Sequence, residues 1–182
     1  MSDKKTYFLV PLAYDRIQNN TGAGTMTRCK ALREWCVEKS IPERQCIVVL
    51  TAGYTKKYPK FPLSWPYQSL AKQMHIYMEP HFINTRFIVE PCAWGTHAEI
   101  KAAANIIEGL INSEISGSHV EIVTSSNRIH LYGRVWLWWW KYATTAKLKV
   151  TLVEASHRFT IWELAQEVAK IIRDAFRVII EK

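Results

Sequence analysis

Residues Cys46 to Ala52 read CIVVLTA and stop at Gly53. A strand with only one face on a core alternates apolar and polar side chains. A run with no such alternation is covered on both faces, as in a parallel sheet between two helical layers. Four other segments have the same character: Tyr7–Ala13 (YFLVPLA), Phe87–Pro91 (FIVEP), Val120–Ser125 (VEIVTS) and Leu148–Glu154 (LKVTLVE). Between and after them, apolar residues recur at three and four positions over Thr25–Lys39, Tyr67–Glu79, Thr96–Ser113, Arg128–Thr144 and Ile161–Ile180, which predicts helices. Strict alternation of strand and helix predicts a doubly wound, Rossmann-like α/β fold, with a mainly parallel sheet of about five strands and helices on both faces. No repeat, low-complexity tract or linker interrupts the 182 residues, so the expectation is one domain spanning 1–182.

Composition narrows the function classes. Hydrophobic residues make up 48% of the chain and charged ones 22%, the balance of a globular protein. The longest apolar stretch, Val135–Trp140, is far short of the ~20 residues of a membrane span, and the polar start Met1–Lys5 does not read as a signal peptide. A cytoplasmic location is expected. Cys29, Cys36, Cys46 and Cys92 form no CxxC pair, and three of them sit in apolar patterns, which points to buried reduced thiols and to no metal site. The net charge of +8 suits any anionic partner. The basic residues are scattered, with no basic run longer than two, so a small anion is favoured over nucleic acid.

In a sheet of this kind the ligand sits beyond the carboxyl ends of the strands, where helix N-termini aim their free N–H groups. The first such loop, YDRIQNNTGAGTMTR, brings Asp15 and Arg16 to the strand end, with Thr25 or Thr27 placed to cap the following helix. The third loop lies in EPCAWGTHAEIKAA, residues 90–103. There Gly95 permits a tight turn, Thr96 reads as the N-cap, and Glu99 three residues on completes a capping box. The same residues suit a phosphate or carboxylate, and His97 beside them is a candidate acid/base group together with Glu99. The fourth loop follows VTSSNR, where Thr124, Ser125, Ser126 and Asn127 offer hydroxyl and amide groups as the strand emerges. Arg128 stands in the first turn of the next helix, where a cation opposes the helix dipole. Nothing about helix stability favours it there, so it is read as facing an anion, with Arg134 as a second cation.

These pieces, in this order, resemble the YdcF/SanA/ElyC-like family. The resemblance rests on an arginine-bearing first helix (TRCKALREW, with Arg28), a strand ending in a glycine (VLTAGY, with Gly53) and SLAKQM. It continues with a strand ending in an acid before a threonine (EPCAWGT) and with VTS opening an arginine-bearing helix, and it spans roughly Tyr7 to Phe176. It implies a doubly wound fold with a polar pocket at the strand ends and, from a cytoplasmic member, S-adenosylmethionine as a ligand. Thr96, Thr124 and Ser125 carry over directly, whereas Arg128 occupies a position where the family pattern has histidine. PCAWGTHAE, Pro91–Glu99, also resembles the PGGxGTxxE motif of LOG-type nucleotide phosphoribohydrolases, with Cys92 and Ala93 in place of two glycines. That resemblance implies a phosphate-holding turn and cleavage of an N-glycosidic bond by Glu99.

Trp136, Trp138, Trp139 and Trp140 cannot share one helix face. Some are expected to pack on the sheet and at least one to reach the surface or a partner, and in the second case this Trp-rich helix is the candidate homodimer contact.

Overall fold

The computed structural model describes residues 5–13, 23–53, 69–93, 95–115, 119–126, 137–141, 143–144 and 148–155, together with 161, 162, 165, 168, 169, 172, 173 and 176. The strands are β1 (Lys5–Pro11), β2 (Cys46–Ala52), β3 (Arg86–Ala93), β4 (His119–Ser126) and β5 (Lys149–Glu154), and the long helices are α1 (Ala23–Glu38), α2 (Leu70–Met78) and α3 (Thr96–Ser113). Residues 137–141 and the described residues from 161 to 176 are helical as well. All five strands pair in parallel, in the order β3-β2-β1-β4-β5. The doubly wound α/β fold read from the sequence is therefore the fold observed. The chain builds outward from β1 through β2 to β3, then returns to place β4 on the other side of β1. The carboxyl ends of β1 and β4 accordingly flank the switch point where such folds open a crevice.

The unbroken apolar runs have the cause inferred for them. Phe8, Leu9 and Val10 are consecutive and all fully buried, as are Val48, Val49 and Leu50, because successive side chains enter opposite helical layers. On one face, Leu9, Val48, Leu50 and Val123 pack with Cys29, Leu32 and Cys36 of α1 and Ala71, Met74 and Met78 of α2. On the other, Phe8, Val10, Val49 and Ile122 meet Ile100, Ala103, Ala104, Ile107 and Leu110 of α3, together with Trp139 and Trp140. The α3 residues recur at helical spacing, which is why that segment winds as a helix and why its apolar stripe lies against the sheet. Cys29, Cys36 and Cys46 are free and buried, and burial pushes the Cys29 thiol up to about 12, so it is inert as a nucleophile.

β3 runs past Pro91 to Ala93, two residues further than the sequence pattern suggests. Its register against β2 shifts between Leu50 and Ala52, a bulge that tolerates a proline with no N–H to donate. The bulge brings β3 against Gly53, whose N–H donates to the Ala93 carbonyl at 2.7 Å. A Cβ at Gly53 would lie 2.7 Å from that same oxygen, so this glycine is required by close backbone approach. No helix among the described residues is long and apolar enough to cross a membrane.

At the amino edge of the sheet, Glu121 is a buried carboxylate that the pattern VEIVTS does not betray. Lys5 Nζ lies 2.8 Å from its Oε2, Lys149 Nζ lies 3.0 Å from its Oε1, and the Thr151 hydroxyl donates to Oε1. Burial alone would raise its pKa, but the bonds from Lys5, Thr151 and Lys149 outweigh burial and hold it below the usual carboxylate value. The unfolded chain therefore takes up the proton first. The contribution is complete above the unfolded value of ~4.3 and is lost as pH falls through the lower folded value. Chemical denaturation across pH 3 to 6 is expected to show this loss in the wild type and a shallower one in Glu121→Gln; equal slopes would remove Glu121 from the acid response.

Candidate functional site

The carboxyl edge of the sheet carries a set of buried polar groups, and their partners show how the loops are held. At the end of β1, three backbone groups within four residues are tied from three directions. The Thr124 hydroxyl of β4 donates to Val10 O at 2.8 Å, Arg28 Nη1 of α1 donates to Leu12 O at 2.9 Å, and Ala13 N–H donates to Glu99 Oε2 of α3 at 2.9 Å. The Thr51 hydroxyl at the end of β2 donates to the Glu99 carbonyl at 3.0 Å. Arg28 and Glu99 are 3% and 5% exposed, so a cation and an anion are both held inside the protein above the central strand ends. Burying charge is unfavourable unless it is compensated by hydrogen bonds, and this edge is where the fold concentrates them.

The first turn of α3 departs from the capping box. Gly95, not Thr96, is the N-cap, at φ 90° and ψ 159°, and among the described residues no side chain caps the helix. At that φ an L side chain is strained, which is the reason for a glycine here, and no atom of the described residues other than its chain neighbours lies within 4 Å of where its Cβ would be. The Glu99 N–H bonds the Gly95 carbonyl as the first ordinary helical bond, and its carboxylate reaches across to β1 instead of back to its own helix. The cap of α1 is likewise not the one expected. That helix begins at Ala23, so Thr25 and Thr27 lie inside it; Thr25 is fully buried and the Thr27 hydroxyl donates to the Gly24 carbonyl.

β4 registers Thr124 against Val10 and Ser125 against Pro11, which places both hydroxyl residues at the switch point. Ser125 is fully buried, and its Oγ has no hydrogen-bond partner among the described residues. Ser126 ends the strand, opposite Glu154 of β5. His97 sits half-buried with its ring edge-on to Trp139 at 5.8 Å between centroids.

Of the residues singled out from sequence, Arg28, Glu99, Thr124 and Ser125 are gathered around the ends of β1 and β4, and Gly95 and Thr96 open the helix whose first turn joins them. Gly53 lies at the end of β2 with a backbone reason for being glycine. Asp15, Asn127, Arg128 and Arg134 lie outside the described residues. Sequence reading missed Thr51, whose hydroxyl stood out only as the one polar group in CIVVLTA, and Ala13, which acts through its backbone. Among the described residues, no three His, Cys, Asp or Glu side chains converge as a metal site. Comparison with family models, with curated proteins and with solved structures found no match to this chain.

Proposed function

We propose that the chain binds a small anionic or nucleotide-like ligand over the carboxyl edge of the sheet, at the crevice between β1 and β4. The observation that carries this reading is Ser125: a hydroxyl at full burial with no partner among the described residues is unfavourable by ~1–3 kcal/mol, and a ligand oxygen or N–H at the strand ends would satisfy it. The start of α3 supports it. An 18-residue helix begins there with no side-chain cap among the described residues, at a glycine that none of them but its chain neighbours crowds, so its N–H groups and dipole favour a phosphate or carboxylate. Arg128 and Arg134 supply the cations in this reading. The resemblance to the YdcF/SanA/ElyC-like family puts S-adenosylmethionine first among the ligands to test, and a cytoplasmic location accords with it.

A second reading is favoured by one observation. Glu99 turns its carboxylate toward the end of β1, away from its own helix, and so occupies the strand-end region where LOG-like cleavage of a nucleotide N-glycosidic bond would need a general acid/base.

The test is thermal unfolding with S-adenosylmethionine, nucleoside monophosphates, nucleotide sugars and phosphate. A ligand at 100 times its dissociation constant adds ~2.7 kcal/mol to stability, a clear shift in Tm. Ser125→Ala is the decisive variant. It removes a hydroxyl with no partner among the described residues, so the free protein is expected to be unchanged or more stable by up to ~1 kcal/mol, while the ligand-induced shift shrinks. Thr96→Ala is expected to change the free protein by less than ~0.5 kcal/mol, because Gly95 is the cap, and to weaken the ligand shift too. No shift with any of the four ligand classes, or undiminished shifts in both variants, would reject the site.

A further inference from the structure

The described residues between 161 and 176 present an exposed apolar surface. Ile161, Trp162, Ala165, Val168, Ala169, Ile172, Arg173 and Phe176 are all helical and all exposed. At 100° per residue these eight positions fall within one stripe of roughly 140°, and only Arg173, at its margin, is charged. The exposures are large for such side chains: 89% for Ile161, 74% for Trp162, 41% for Val168, 53% for Ile172 and 61% for Phe176. By contrast Trp139 and Trp140, in the Trp-rich helix, are buried in the protein's own core, so they contribute no surface to a partner.

We infer that this stripe pairs antiparallel with the same stripe of a second copy of the chain, about a two-fold axis passing between Val168 and Ala169. Two features single out a second copy. The five large side chains expose on the order of 600 Å² per copy, so pairing two copies removes more than ~1,000 Å² from water, the size a specific dimer needs. The stripe is also complementary to itself. Reversal about that axis sets Ile172 against Ala165 and Val168 against Ala169, large against small through the middle, with Ile161 beside Phe176 at each end. Small residues at the centre let two helices approach closely, which an isologous contact exploits. A helix lying on a bilayer gains nothing from small residues at the middle of its apolar face.

Sedimentation of the full chain over a range of concentrations is expected to give twice the 21.1 kDa chain mass. Ile172→Glu combined with Phe176→Glu is expected to weaken association by at least ~100-fold, since each copy then places two charges in the contact. Far-UV circular dichroism reports whether that variant folds. A second readout does not depend on it. Ala169→Cys is expected to cross-link to its own copy under oxidation, whereas Phe176→Cys is not, because two copies of residue 176 lie roughly 22 Å apart along an antiparallel pair. A monomer at every concentration overturns the proposal. So does a dimer unaffected by the two glutamates, or cross-linking at 176 in place of 169. A monomer that co-sediments with anionic lipid vesicles, and is released by the two glutamates, makes a bilayer the occupant and overturns it too.

Discussion

Arg28→Met is expected to lower the unfolding free energy by about 2–4 kcal/mol, because it strips the donor from a buried carbonyl and leaves part of a long side chain's volume unfilled. The Leu12 carbonyl lies just past the end of β1 and receives its bond from Arg28 Nη1, inside the protein, where no water replaces a lost donor. Methionine preserves most of the apolar stem, so the loss reports the guanidinium more than the packing. Lysine keeps the charge but not the planar fork, and is expected to fall between the two. Urea unfolding with an unchanged slope checks this, since the slope tracks the surface exposed and only the midpoint should move. The measurement also separates two roles that sequence alone left joined. An arginine that waits in solvent for a ligand is nearly neutral to stability when replaced, so a loss below ~0.5 kcal/mol would return Arg28 to that role.

The fold was legible because the pattern and the architecture follow from one cause. CIVVLTA lacks alternation because Val48, Val49 and Leu50 face two helical layers, and the same holds for YFLVPLA through Phe8, Leu9 and Val10. β2 and α3 match the spans read from their periodicity, since each is bounded by residues whose local preferences agree with the tertiary structure. The edge of β3 was less legible, because a bulge lets the strand absorb Pro91 and run on. The site was legible by position and not by role. That the carboxyl edge of the sheet would gather Arg28, Glu99, Thr124 and Ser125 follows from any parallel sheet. That Glu99 would serve β1 and not its own helix does not, because Thr96-x-x-Glu99 satisfies the capping-box spacing in sequence while the positive φ of Gly95 moves the cap one residue earlier. Glu121, Thr51 and Ala13 escaped notice for a related reason: their partners are distant in sequence and are set by strand order and by how α3 packs on the sheet.

Glu99 is where the two functional readings separate. Glu99→Ala is expected to destabilise by about 2–4 kcal/mol, combining the unpaired Ala13 N–H with the space the side chain leaves above the sheet. Glu99→Gln retains an acceptor oxygen of the same reach and is expected to stay within ~1 kcal/mol of the wild type, because an amide carbonyl can still receive the Ala13 N–H. Glutamine cannot exchange a proton as a carboxylate does, and loss of a general acid/base group slows a reaction by ~100- to 10,000-fold. The pair of variants therefore sorts the roles when each is assayed for free base released from nucleoside monophosphates. Release by the wild type that collapses in a stable Glu99→Gln protein makes the carboxylate chemical. No release from any common monophosphate, with Glu99→Gln folded and still giving a ligand-induced thermal shift, confines Glu99 to fastening the end of β1, and the N-glycosidase reading fails while the binding reading stands.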